Sequence, residues 1–179
     1  MPRNVGDTVG TDHATQMTPL VVHTESLAEA WRNFISQFPM QWFCTFTFTE
    51  DVHPERAAKL FRLFIRQLNR KLYGSHFERK GQQGVFWILA WEYQKRGVLH
   101  FHALMGDIED LNVRARRLDW MDVWHGFGPP AGFARIEAIE SQDAVRDYVT
   151  KYVTKGGQID LSASLRSFAQ QQALSDPVQ

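Results

Sequence analysis

With one cysteine, Cys44, the chain can form no internal disulfide, which fits a reducing compartment better than a secreted scaffold. Lys plus Arg and Asp plus Glu number 20 each, so the formal net charge is zero and no global basic field announces a polyanionic partner. That balance leaves room for a basic strip on one face. No apolar run approaches the ~20 residues needed to span a bilayer. The N-terminal stretch is polar where a signal peptide has its apolar centre. The sequence also contains no phosphate loop of the G-x-x-x-x-G-K-[ST] type, and so no helicase nucleotide site. These absences predict a soluble, cytoplasmic protein without a membrane partner.

Aromatic and apolar residues are plentiful. Hydrophobic residues make up 44% of the 179, with 13 Phe and 6 Trp, enough for one domain with a substantial core. Residues 1–20 are polar and are expected to be disordered; 21–157 carry the domain; 158–179 form a polar, Gln- and Ser-rich tail, expected to be mobile. A short amphipathic helix begins near Ser26, with Leu27, Trp31, Phe34 and Ile35 at helical spacing. "QWFCTFTFT" alternates as a strand, Trp42, Cys44, Phe46 and Phe48 on one face and Phe43, Thr45, Thr47 and Thr49 on the other. Pro54 opens a helix whose stripe of Ala57, Leu60, Phe61, Phe64, Ile65 and Leu68 ends near Gly74. "GVFWILAWEY", "VLHFHALM" and "GFARIEAI" read as strands, and 109–124 reads as helical. Ser141 is placed to cap a last helix that runs to Lys155 and stops at Gly156 and Gly157. The fold expected is α+β: a central antiparallel sheet of about five strands with flanking helices.

"GVLHFHAL" poses the first chemical question. Residues two apart on a strand share a face, so His100 and His102 lie together with Val98 and Leu104, while Leu99, Phe101, Ala103 and Met105 fill the core face. A core requires only the second set. A three-residue hairpin loop, Lys95-Arg96-Gly97, fits the pattern with glycine in the left-handed position. That register sets Gln94 opposite Val98, Glu92 opposite His100 and Ala90 opposite His102, with opposed Cβ atoms ~4.5–5.5 Å apart. Glu92, His100 and His102 then converge as ligands for a divalent ion, with positions left for water or substrate. A four-residue loop would send Glu92 to the far face. The plain alternative is two ordinary polar residues on a half-exposed strand.

"YVTKYVTK", Tyr148 to Lys155, is a tandem duplication on the last helix. Val145, Val149 and Val153 face the core; Tyr148 and Tyr152 lie side by side at i and i+4, flanked by Lys151 and Lys155. A tyrosine with its pKa near about 10 is a poor nucleophile. A neighbouring ammonium favours the phenolate and stabilises charge on a phosphate under attack. The alternative is a boundary helix with snorkelling lysines.

Together these residues resemble the HUH endonucleases, in the rolling-circle replication-initiator (Rep) branch. The resemblance runs from about Trp42 to Lys155 through three ordered motifs: "FCTFTFTE", then His100-Phe101-His102, then Tyr-x-x-Lys, doubled as Tyr148 to Lys151 and Tyr152 to Lys155. The order matters, because relaxases carry the nucleophilic tyrosine ahead of the histidines.

The resemblance implies site-specific nicking and joining of single-stranded DNA at an origin, open or in a hairpin, to start rolling-circle replication of a plasmid or phage. His100, His102 and Glu92 would hold Mg²⁺ or Mn²⁺. A tyrosine would attack phosphorus to give a 5′-phosphotyrosine and a free 3′-OH for a host polymerase, with a host helicase opening the duplex. The paired tyrosines look like the double-tyrosine initiators; Tyr152 corresponds to the nucleophile kept in single-tyrosine members, with Tyr148 as second nucleophile or helper. Lys155 and Lys151 would stabilise phenolate and phosphate charge.

Arg62, Arg66 and Arg70 recur every four residues on the polar face of the 54–73 helix, and Arg114, Arg116 and Arg117 form a second cluster. Either set can contact phosphates, and either can be a solvated helix face. Trp91, Trp120 and Trp124 are candidates to stack on bases or to be buried. Three other readings stay open: a double-tyrosine transposase with the same chemistry, a non-catalytic single-stranded DNA-binding module, and an unrelated metal-dependent hydrolase that makes both tyrosines dispensable.

Overall fold

The computed structural model of the protein describes residues 26–82, 84–95, 97–145, 148 and 158–166. Helix α1 (Leu27–Ile35) starts at a capping box, the Ser26 hydroxyl accepting from the Glu29 amide and the Glu29 carboxylate from the Ser26 amide. Strand β1 (Met40–Phe48) follows, then helix α2 (Pro54–Tyr73), which has Pro54 in its first turn and ends at Gly74. The hairpin of β2 (Phe86–Tyr93) and β3 (Leu99–Gly106) leads to two short helices, α3 (Leu111–Arg114) and α4 (Arg117–His125). Strands β4 (Ala131–Ala138) and β5 (Ile159–Leu161) complete one antiparallel sheet in the order β4-β1-β3-β2-β5. The α+β expectation holds.

The alternation in β1 decides the layers. Trp42, Cys44, Phe46 and Phe48 point into a core with Leu99, Phe101, Ala103 and Met105 of β3, covered by Phe61, Phe64 and Leu68 of α2 and Trp120 and Trp124 of α4. Burying one such Phe or Leu side chain stabilises the fold by about 1.5–3 kcal/mol relative to exposure. Phe46 makes ring contacts with Phe61, Phe64 and Trp124, all at centroid separations of 5.6 Å or less.

On the opposite face the described residues build a second layer of packing at one end. Ile35 of α1, Met40, Phe86, Ile88, Leu104, Val145 and Leu165 form a second, smaller cluster there. A bulge at Gln41 shifts the β1–β3 register between Met40 and Trp42 and turns Met40 to this side. Leu104, on the histidine face, is therefore buried as fully as its core-facing neighbours, while His100 and His102, further along the strand, are partly buried.

One sequence expectation needs correction. The 109–124 helix is two helices, because Ala115 is extended (φ −142°, ψ 129°) and breaks the run. Beyond 157, β5 pairs with β2, and Ser162 and Leu165 are buried. Local polarity hid this because β5 is three residues long, and its Ile159 and Leu161 find apolar partners only through the fold.

Candidate metal centre

The hairpin register sets the site. Gly97 takes φ +80°, the Gln94 amide donates to the Val98 carbonyl, and Glu92 falls opposite His100 and Ala90 opposite His102. Strand β1 adds Thr47 opposite His100 and Thr45 opposite His102. The histidine face thus carries Glu92–His100–Thr47 in one row, Ala90–His102–Thr45 in the next and Ile88–Leu104–Phe43 in the third.

Glu92, His100 and His102 each present a ligand atom, all within 4.8 Å of one another. The two Nε2 atoms are 2.8 Å apart, and Glu92 Oε2 lies 3.2 Å from that of His102 and 3.6 Å from that of His100. Donors bound to one divalent ion at about 2.0–2.2 Å sit roughly 3–3.5 Å from each other, so this donor set fits a single ion. Two imidazoles and one carboxylate leave coordination positions for water or a phosphate oxygen.

The surroundings suit that role. Thr45 Oγ1 is 3.1 Å from His102 Nδ1. In the tautomer that donates Nδ1–H to this hydroxyl, Nε2 turns its lone pair to the cluster, as a ligand must. Phe43 stacks on the outer side of His102, rings 14° from parallel and centroids 6.0 Å apart. Burial holds the His100 imidazole below its ordinary pKa, and the Glu92 carboxylate offsets part of that shift. A neutral imidazole is the form that binds a cation. Thr45 and Phe43 lie on the polar face of β1 that the sequence alternation defined, but nothing in the sequence pairs Thr45 with His102.

Tyr148 lies beside this centre, its ring centroid 4.6 Å from Phe43 and 6.1 Å from His102. Residues 142–145 and 148 are helical, and the Ser141 hydroxyl accepts from the Ala144 amide as a cap. Lys151, Tyr152 and Lys155 lie outside the described residues. Arg62, Arg66 and Arg70 are exposed on α2, whose apolar stripe packs on the core face, so they sit across the sheet from the histidines. Arg116 is exposed at the start of α4, 3.9 Å from Asp119. Arg114 is engaged elsewhere: it binds buried Asp107 at 2.7 Å, Glu109 at 3.2 Å and the Leu72 carbonyl at 2.9 Å, over the Tyr73 ring. Trp120 and Trp124 are core residues, and Trp91 packs on the core side against Phe101 with ring centroids 4.9 Å apart, its indole donating to Asp160.

Fold and site together define an α+β protein with a two-histidine, one-carboxylate candidate metal centre on one face of an antiparallel sheet. Among protein families, the model of the replication-associated protein ORF2/G2P family matches residues 41–157, well over half of the chain and spanning every residue of the centre. The chain belongs to that family, and with it to the Rep-type replication proteins. No curated protein and no solved structure matches it significantly. No helix among the described residues is long and apolar enough to cross a membrane.

Proposed function

We propose that the protein starts rolling-circle replication of a plasmid or phage by nicking single-stranded DNA at an origin and later rejoining it through a 5′-phosphotyrosine. The observation that carries this reading is the convergence of Glu92, His100 and His102 on one point with Tyr148 packed beside it, inside a stretch that belongs to a replication-associated family.

Glu92, His100 and His102 would hold Mg²⁺ or Mn²⁺, which when bound polarises a phosphate oxygen and so raises the electrophilicity of phosphorus. The chain supplies the rest. Thr45 orients His102, and burial keeps His100 neutral. The Tyr152 hydroxyl, helped or replaced by that of Tyr148, gives up its proton and forms a bond to phosphorus. The P–O3′ bond breaks, and the 3′ oxygen leaves with a proton as a free 3′-OH. Lys155 and Lys151 stabilise the phenolate and the phosphate charge. The phosphodiester energy is kept in the tyrosyl ester, so a later 3′-OH can reverse the step.

The test is incubation with pooled single-stranded oligonucleotides and Mn²⁺, read by denaturing gel for a protein–DNA adduct. An adduct lost with EDTA and in Tyr152→Phe supports the reading. Loss only in the Tyr148→Phe/Tyr152→Phe pair assigns both tyrosines as nucleophiles. Cleavage without an adduct, persisting in the double variant, replaces the reading with a metal-dependent hydrolase.

A further inference from the structure

We propose that Phe133, backed by His125, is a stacking platform for an unpaired nucleobase of the strand that crosses the sheet beside the candidate metal centre. The inference deepens the single-stranded DNA reading and rests on it.

A single exposed apolar side chain is ordinary and calls for no explanation. Phe133 is distinguished by how it is held. It is 75% exposed on edge strand β4, yet its ring lies within 3° of parallel to His125, centroids 5.7 Å apart. The two rings stand parallel, one against the other, at the β4 edge of the sheet. His125 is itself placed by its Nδ1, 3.4 Å from the Gly132 carbonyl.

The backbone beneath is built for this position. Phe46 pairs with Ala134 and Phe48 with Ala131, so β4 carries an extra residue against β1. Thr47 fills that bulge: its hydroxyl accepts from the Phe133 amide at 2.8 Å and donates to the Phe133 carbonyl at 3.0 Å. Only glycine at 132 leaves room for it, since a Cβ there would sit 2.7 Å from Thr47 Oγ1. Bulges re-aim side chains beside functional sites. The same Thr47 stands directly opposite His100. Phe133 is therefore two strand spacings from His100, roughly 10 Å of backbone separation, which a short extended stretch of single strand covers.

Single-strand binding combines such aromatic faces with cations that follow the phosphates. Arg135, two residues along β4 and opposite Thr45 on the histidine face, is 72% exposed and bound at 2.8 Å to Glu137. An exposed pair of this kind holds weakly, so a phosphate can take Arg135 from it.

Binding of a fluorescein-labelled mixed-sequence single-stranded oligonucleotide, followed by anisotropy in EDTA over a range of salt, tests the proposal. Phe133→Ala and Phe133→Leu are expected to weaken binding about tenfold without changing the salt slope, and Phe133→Tyr to keep it. Arg135→Ala is expected to lower the slope by about one. Wild-type affinity in Phe133→Ala, or affinity kept by Leu, overturns the platform and leaves the DNA reading intact. If the wild-type protein itself fails to bind the oligonucleotide, the DNA reading falls and the platform with it.

Discussion

Thr45 Oγ1 lies 3.1 Å from His102 Nδ1, across the β1–β3 pairing that sets the two residues side by side. With Nδ1–H donated to this hydroxyl, the ring would turn the Nε2 lone pair toward Glu92 and His100. Outer partners of this type typically contribute about 10–100-fold to metal affinity. Thr45→Val, nearly the same shape without the hydrogen bond, is expected to weaken Mn²⁺ binding by about tenfold in calorimetry, with far-UV circular dichroism unchanged. Undiminished affinity would show that packing against Phe43 alone orients the imidazole.

The three ligands are expected to act as a set. Glu92→Gln keeps the side-chain shape and removes the negative charge, and it should abolish detectable Mn²⁺ binding at concentrations that saturate the wild type. His102→Ala should do the same. EDTA treatment of the wild type should reproduce the cleavage defect of both variants, and added Mn²⁺ should restore the wild type only. Full activity in Glu92→Gln would remove the carboxylate from the centre.

Acid should destabilise the metal-free protein through His100. Burial holds its imidazole below the ordinary value in the fold, whereas in the unfolded chain it titrates near about 6.5. The unfolded state then binds the proton first as pH falls, so the stability is complete above about 6.5 and is lost progressively below it. In EDTA, the melting temperature should drop between about pH 7 and about pH 5.5, and it should drop less in His100→Gln. Equal slopes for the two proteins would refute the assignment.

Phe46 sits where α2, α4 and the sheet meet, fully buried and in contact with three aromatic rings. Phe46→Ala should cost about 3–5 kcal/mol in urea unfolding, a large share of the stability typical of a domain. Phe133→Ala, exposed on β4, should change it little. A comparable loss at both positions would contradict the layering.

Several features are written in local chemistry. The period-two pattern of "QWFCTFTFT" places Phe43, Thr45 and Thr47 together on one face of β1, and the β1 burial pattern follows it residue by residue. Gly97 and the three-residue loop set the hairpin, and through it Glu92 opposite His100. Pro54 and Gly74 bound α2. Each of these depends on neighbours within a few residues, and a turn type or an alternation transmits its register along a strand.

What lay beyond local reading depends on contacts between distant segments. The bulge at Gln41, the strand order β4-β1-β3-β2-β5 and the docking of 158–166 become visible only when the sheet is assembled. The same holds for the Thr45–His102 bond, the separation of Arg62, Arg66 and Arg70 from the histidines, and the Phe133–His125 stack. The sequence by itself determined which residues share a strand face and which carboxylate meets which imidazole within one hairpin, because covalent neighbours and a tight turn leave little freedom there. Tertiary structure alone decided which end of that face the second cluster covers and what stands beside the histidines, because burial is set by whatever segment of the chain returns to pack there.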